Sequence, residues 1–245
     1  MNILASFILT SLAGLSTIIG YFIIFIKGNK DKIITFSLSF ASGVMLTISI
    51  IDLIPSSFNY LSNYHLLFRL LLIIFFFILG INLSYFISSK VDKENSNSLK
   101  KVGIISMLAI VLHNIPEGII TFMVSGVDFN LGIKLAFAIS LHNIPEGISI
   151  AIPLYYATKK KLKTFFIVLI SGFSEIFGAI ICYLFLSKFV NNFIIGLVFS
   201  LIAGIMTTIS LRELLPESFK YHENKILYLG FLIGSFVMII SHIII

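Results

Sequence analysis

The chain has 245 residues, of which 58% are hydrophobic and only 11% charged, at a mean hydropathy of +1.07. A water-soluble domain of this size has no use for so much apolar surface, so composition predicts an all-α polytopic membrane protein. The formal net charge of +6 would suit a nucleic-acid binder, but the lysines sit in short connections between apolar runs, which excludes that class.

Apolar runs long enough to cross a bilayer fall at about 2–26, 33–54, 67–88, 102–124, 133–156, 164–186, 194–215 and 226–245. They predict eight helices in one transmembrane domain covering 1–245. The first 26 residues carry no charged side chain. A signal peptide wants a basic start and a short apolar region, so the first run reads as a span that stays. The one cysteine, Cys182, lies inside the sixth run and is expected to fill core. The connections are short except 88–101, where Asn95, Ser96, Asn97 and Ser98 predict a flexible cytoplasmic loop.

Basic residues decide orientation. The odd-numbered connections and their edges hold Lys27, Lys30, Lys32, Lys90, Lys93, Lys100, Lys101, Lys159, Lys160, Lys161, Lys163, Arg212, Lys220 and Lys225. The opposite side offers Arg69, Lys134 and Lys188. The odd connections are therefore expected in the cytoplasm and both termini outside it, in the cell (inner or plasma) membrane.

Leu-His-Asn-Ile-Pro-Glu-Gly-Ile occurs twice, at Leu112–Ile119 in the fourth run and Leu141–Ile148 in the fifth. These spans run in opposite directions, so the pair predicts a pseudo-two-fold axis in the membrane plane, with both copies near the midplane. A second repeat aligns 41–58 with 202–219. It pairs Gly43 with Gly204, Met45 with Met206, Leu53 with Leu214, Pro55 with Pro216, and Asp52 with Glu213. It too is inverted, which puts Asp52 near the outer mouth and Glu213 near the inner one.

On an ideal helix His113 and Glu117 are ~40° apart and Asn114 and Glu117 ~60°, so the carboxylate can share a metal with either neighbour. The same holds for His142, Asn143 and Glu146. The simplest consequence is two adjacent metal positions, one using imidazoles, the other amide oxygens, bridged by the glutamates. Imidazole with carboxylate suits Zn(II), Fe(II), Mn(II) or Co(II), and the lack of thiolate argues against Cu(I). Pro116 and Pro145 free the carbonyls of Leu112 and Leu141 and predict broken backbone at that depth. Glu175 in the sixth run is a third mid-membrane carboxylate. Each costs roughly 2.5–3.5 kcal/mol there, and no mid-span Lys or Arg offsets them, so a divalent cation, protons or both must. Asp52 and Glu213 are candidate gates, and Met45 and Met206 candidate path-lining residues. His65, His222 and His242 fall in connections or near the terminus and carry no expected role.

These motifs resemble the ZIP family of divalent-metal transporters, most closely its bacterial zinc-uptake (ZupT-like) branch. The resemblance rests on the two His-Asn-x-Pro-Glu-Gly segments, the Ser-Gly-x-x-Glu segment at 171–175, and the Gly-Val-Met…Asp and Gly-Ile-Met…Glu segments of the second and seventh runs. It implies a three-plus-two-plus-three arrangement of spans and a metal centre between spans 4, 5 and 6. It also implies a first site of His113, Glu117, His142 and Glu146, a second of Asn114, Glu117, Asn143, Glu146 and Glu175, and often a homodimer. The expected function is uptake of zinc, and of iron, manganese, cobalt and cadmium, with the metals bound as substrate, no separate cofactor and no enzymatic activity. Two departures stand out. The 88–101 segment has no histidine, and Arg212 adjoins the proposed exit, where it could pair with Glu213 or Glu217 or simply enforce orientation. The competing reading, an intramembrane metal-dependent hydrolase, needs an open metal position for water and lacks the His-Glu-x-x-His pattern. A metal sensor or scaffold lacks an output domain.

Overall fold

The computed structural model describes residues 3–94, 97–186 and 191–244, and these are helical with no strand among them. Eight helices among the described residues are long and apolar enough to cross a membrane. They are α1 (Ile3–Phe25), α2 (Lys30–Tyr60), α3 (Leu66–Val91), α4 (Ser98–Val127), α5 (Phe129–Thr158), α6 (Lys161–Phe185), α7 (Asn192–Phe219) and α8 (Asn224–Ile243). Four begin on a side-chain cap. Asn29, Asn97, Asp128 and Asn191 each accept a hydrogen bond from a backbone N–H of the first turn, satisfying donors that the helix itself leaves open.

The helices outrun the apolar stretches. The helix containing α3 continues to Glu94 and α4 starts at Ser98, so the connection expected over 88–101 is largely helical; Asn95 and Ser96 lie outside the described residues. The reason is that hydropathy ends where the bilayer does, whereas Lys and Glu are good helix formers in water. α2 and α7 likewise run past Pro55 and Pro216. Each does so through one widened π-turn, Ser49–Leu53 in α2 and Ser210–Leu214 in α7. Such turns relieve the ladder where proline removes a donor. Asp52 and Glu213 occupy the same place in these two turns, so the repeat extends to a backbone irregularity.

α1, α4, α5 and α6 pack against one another, and the pairs α2–α8 and α3–α7 lie beside them. The pairs are themselves related by the repeat. Gly43 of α2 backs onto α8, where an added Cβ would fall 2.3 Å from the Phe231 carbonyl oxygen. Its counterpart Gly204 of α7 backs onto α3, 2.1 Å from the Phe77 carbonyl oxygen. Only glycine lets helix backbones approach this closely. α2 and α7 also meet directly, where Ser210 Oγ donates to the Ser42 carbonyl at 2.8 Å. Spans 1–3 are thus repeated, inverted, by spans 6–8 around the α4–α5 pair.

Candidate metal centre

His113, Asn114 and Glu117 stand near the middle of α4, and His142, Asn143 and Glu146 near the middle of α5. All six are buried. Both helices continue through Pro116 and Pro145 without interruption of the helical trace, although proline has no N–H to give the carbonyls of Leu112 and Leu141. Neighbouring helices hold each turn instead. A Cβ on Gly118 would fall 1.9 Å from the Glu175 carbonyl oxygen of α6, and one on Gly147 2.0 Å from the Thr17 carbonyl oxygen of α1. The motif glycines therefore seat α4 on α6 and α5 on α1.

One carboxylate joins the two imidazoles. Glu117 Oε1 lies 3.1 Å from His113 Nε2 and 3.1 Å from His142 Nε2. Glu146 Oε1 lies 3.5 Å from His113 Nε2. His113, Glu117 and His142 each offer a ligand atom within 4.8 Å of the others. Beside this group Asn143 Nδ2 donates to Glu175 Oε2 at 2.9 Å and to the Ala13 carbonyl at 3.0 Å. Asn114 Nδ2 donates to the Ser171 carbonyl at 3.1 Å. Each amide thus spends its N–H on a neighbouring backbone and leaves its buried oxygen unpartnered as a lone-pair donor.

The unpartnered buried atoms describe the chemistry. Asn114 Oδ1, Asn143 Oδ1, Glu117 Oε2, Glu146 Oε2, Glu175 Oε1 and Nδ1 of both histidines have no hydrogen-bond partner. Buried polar atoms are ordinarily paired. All seven residues expected from sequence carry such an atom, and carboxylate and amide oxygens can only accept. What satisfies a cluster of acceptors is a divalent cation, protons or both, and oxygen with imidazole suits a borderline divalent metal.

The outer gate candidate lies on a route to this cluster. A cavity of about 220 Å³ is lined by Asp52, Ser56, Tyr60, Glu117, His142 and Met238 among others. A second space, about 260 Å³, shares Tyr60 and Leu131 with it and continues to Val127, Asp128 and Asn192, at the end of the molecule holding the even-numbered connections. Met45 and Met206 are buried in the packed core, and neither lines this route; Met238 of α8 does. Thioether side chains fill irregular core gaps well, and these two do so between the repeats. Glu213 lies toward the other end. It accepts from Ser88 Oγ at 3.0 Å and stands 3.5 Å from Lys101 Nζ. Glu217 accepts from Ser98 Oγ at 2.9 Å and from Lys220 Nζ at 2.6 Å. Arg212 pairs with neither acid but lies over the Tyr85 ring, 3.9 Å from its centroid, because its side chain points away from the π-turn face that carries Glu213. His65 and His222 lie in connections and His242 near the end of α8, all away from the cluster.

α1 and α6 carry a repeat of their own. Ala13–Gly20 repeats Ser171–Gly178, with Gly14, Ser16, Ile18 and Gly20 matching Gly172, Ser174, Ile176 and Gly178. The structure repeats the contacts as well. Gly14 and Gly172 face each other, each with an added Cβ 2.5 Å from the other's carbonyl oxygen, and Gly20 meets Ile144 of α5 as Gly178 meets Ile115 of α4. Thr17 therefore stands where its mate carries Glu175, which is why the third carboxylate has no symmetric partner.

The family model for ZIP zinc transporters matches residues 88–242. A zinc transporter ZupT of Streptococcus mutans is 36% identical over 256 residues, covering 98% of this chain and 97% of that one. A ZupT of Clostridium perfringens is 35% identical over 279 residues, covering 98% and 95%. One of Chlorobaculum parvum is 38% identical over 270 residues, covering 98% and 97%. A family of transporters leaves no place for the hydrolase reading. With eight membrane-length helices and these relatives along its whole length, the chain is a multi-pass membrane protein and belongs to the ZIP zinc-transporter family.

Proposed function

We propose that this protein carries zinc, and with it iron, manganese, cobalt and cadmium as divalent ions, into the cytoplasm through a two-metal site. His113, Glu117, His142 and Glu146 would hold the first ion, and Asn114, Asn143 and Glu175 the second, with Glu117 and Glu146 bridging. The observation that carries the reading is the set of unpartnered ligand atoms on all seven residues, at mid-membrane depth. Relatives that share the chain end to end are named zinc transporters, which supports zinc as cargo.

The lysine-rich odd connections support a cytoplasmic placement for that face, with both termini outside. On this reading the cavity past Asp52 opens outward, and the contacts of Glu213 with Ser88 and Lys101 hold the inner end shut. Ions then enter by the acid in one π-turn and leave by the acid in the other. A homodimer belongs to the same proposal, with α3 and α8 offering the least covered faces.

Uptake into proteoliposomes tests both direction and gate. Zinc should enter saturably from the face labelled by Asp52→Cys, while Glu213→Cys labels from the opposite face, both in a Cys182→Ala background. Asp52→Asn should raise the apparent KM for external zinc several-fold with little loss of maximal rate, and the effect should shrink as salt screens the mouth. Labelling of both cysteines from one face would overturn the topology, and an unchanged KM would remove Asp52 from the entry path.

A further inference from the structure

The chain's formal excess charge is concentrated at one place. The α1–α2 and α5–α6 connections with their first turns hold Lys27, Lys30, Lys32, Lys159, Lys160, Lys161 and Lys163 against the single acid Asp31. That is a local balance of +6, equal to the +6 of the whole chain, so the remaining charges cancel. Elsewhere on this end two lysines have acids against them, Lys101 with Glu213 and Lys220 with Glu217. Among the described residues none of Lys27, Lys30, Lys159 and Lys161 is in an ion pair.

Lys27, Lys159 and Lys161 border a space. The two connections meet around a cavity of about 440 Å³ lined by Lys27, Gly28, Phe25, Tyr155, Lys159 and Lys161 among others. The ammonium groups are held by rings: Lys159 Nζ lies 4.5 Å from the Tyr156 centroid and 5.3 Å from Tyr155, and Lys161 Nζ 4.8 Å from Phe25. Lys159 takes a left-handed conformation, φ 57°, to make the turn. α6 then starts at this cavity with Lys160 at its N-cap and no side-chain cap, so its first N–H groups and its positive dipole end are left to another acceptor. The positive-inside tendency asks only for lysines on this side. It does not ask for unpaired lysines gathered with an uncapped helix start around one cavity.

Beside the cavity the surface turns apolar. Phe22, Phe25, Ile26, Leu162 and Phe166 are all exposed, and on a membrane-spanning protein this is a face for acyl chains. We propose that this cavity binds the phosphate-bearing headgroup of an anionic phospholipid, with its chains against those exposed residues. The ligand's shared chemistry is a phosphate, and the adjoining apolar face selects the lipid over the free ion. The proposal rests on the membrane placement of the chain and is independent of the metal centre.

The test uses the full-length protein in phosphatidylcholine vesicles containing trace spin-labelled phosphatidylglycerol or phosphatidylcholine, reading the motionally restricted fraction. Wild type should retain phosphatidylglycerol over phosphatidylcholine. Each lysine near a charged surface contributes roughly five-fold to such a preference, so Lys27→Gln/Lys159→Gln/Lys161→Gln should bring it down to the phosphatidylcholine level. Lys159→Gln alone should lower it part way, which covers a triple variant that does not fold. Lys90→Gln/Lys100→Gln/Lys225→Gln removes the same charge from the same end and should keep the preference. Equal loss in the two triple variants would mean a diffuse surface effect and overturn the site. Displacement of the lipid by millimolar inorganic phosphate would make this a free-anion site and overturn the lipid assignment.

Discussion

Glu117→Ala is expected to abolish saturable zinc uptake, a loss of at least ~100-fold given that even outer-shell changes at metal sites cost 10–100-fold. The reason is positional. Glu117 Oε1 is the one atom within 3.1 Å of both imidazoles, and its second oxygen has no partner. Removing it takes the central anion from a cluster that, among the described residues, has no lysine or arginine paired with it, and from two rings that need a common acceptor. Glu146→Ala should behave the same way, since it is the repeat mate on α5 and reaches His113. Uptake is read in proteoliposomes normalised to reconstituted protein. Near wild-type uptake in both variants would remove the α4–α5 pair from the transport route.

The second large effect is structural. Gly118→Val should lower thermal stability and disconnect Glu175 from the centre. A Cβ at Gly118 falls 1.9 Å from the Glu175 carbonyl oxygen, so α4 and α6 must part by at least about 1 Å in an interior packed like a crystal. Overpacking of this kind costs about 1–3 kcal/mol and sometimes more, which at roughly 2–4 °C per kcal/mol lowers Tm by roughly 2–12 °C. The same displacement moves Glu175 relative to Asn143, whose Nδ2 now donates to it at 2.9 Å. Gly28→Ala is the comparison, because its added Cβ would meet nothing closer than Ile33 Cδ1 at 3.5 Å. A Gly118→Val protein as stable as Gly28→Ala, with full uptake, would show that the close approach has no bearing on the site.

The α4–α5 centre was legible because its residues are expensive where they stand. A His, an Asn and a Glu in the middle of an apolar run are visible against leucine and isoleucine, and the motif's duplication gave the inverted geometry at once. Asp52 and Glu213 could be aligned for the same reason, each three residues before a proline. Thr17 hid the α1–α6 repeat, since a small hydroxyl in one copy replaces the carboxylate of the other, and the shared Gly and Ser positions look like ordinary helix packing. The two π-turns were out of reach because proline alone does not say how a helix will absorb it. Pro116 and Pro145 are carried without such a turn, while Pro55 and Pro216 each follow one. Adjacency in the chain does not decide the partner of Arg212: it adjoins Glu213, yet it reaches Tyr85 of α3 rather than the acid, which leaves orientation as its remaining role. Met45 and Met206 were raised by their place beside the acids, and packing rather than the path claims them.

Zinc counting on purified protein tests the central claim most directly. Wild-type protein equilibrated with zinc should hold two ions per chain, Glu175→Ala or Asn143→Ala should keep only the ion of the first site, and His142→Ala should weaken the ion of the first site while keeping that of the second. The same stoichiometry and affinity in all four proteins would contradict the account, because the metal would then be held by residues outside this centre.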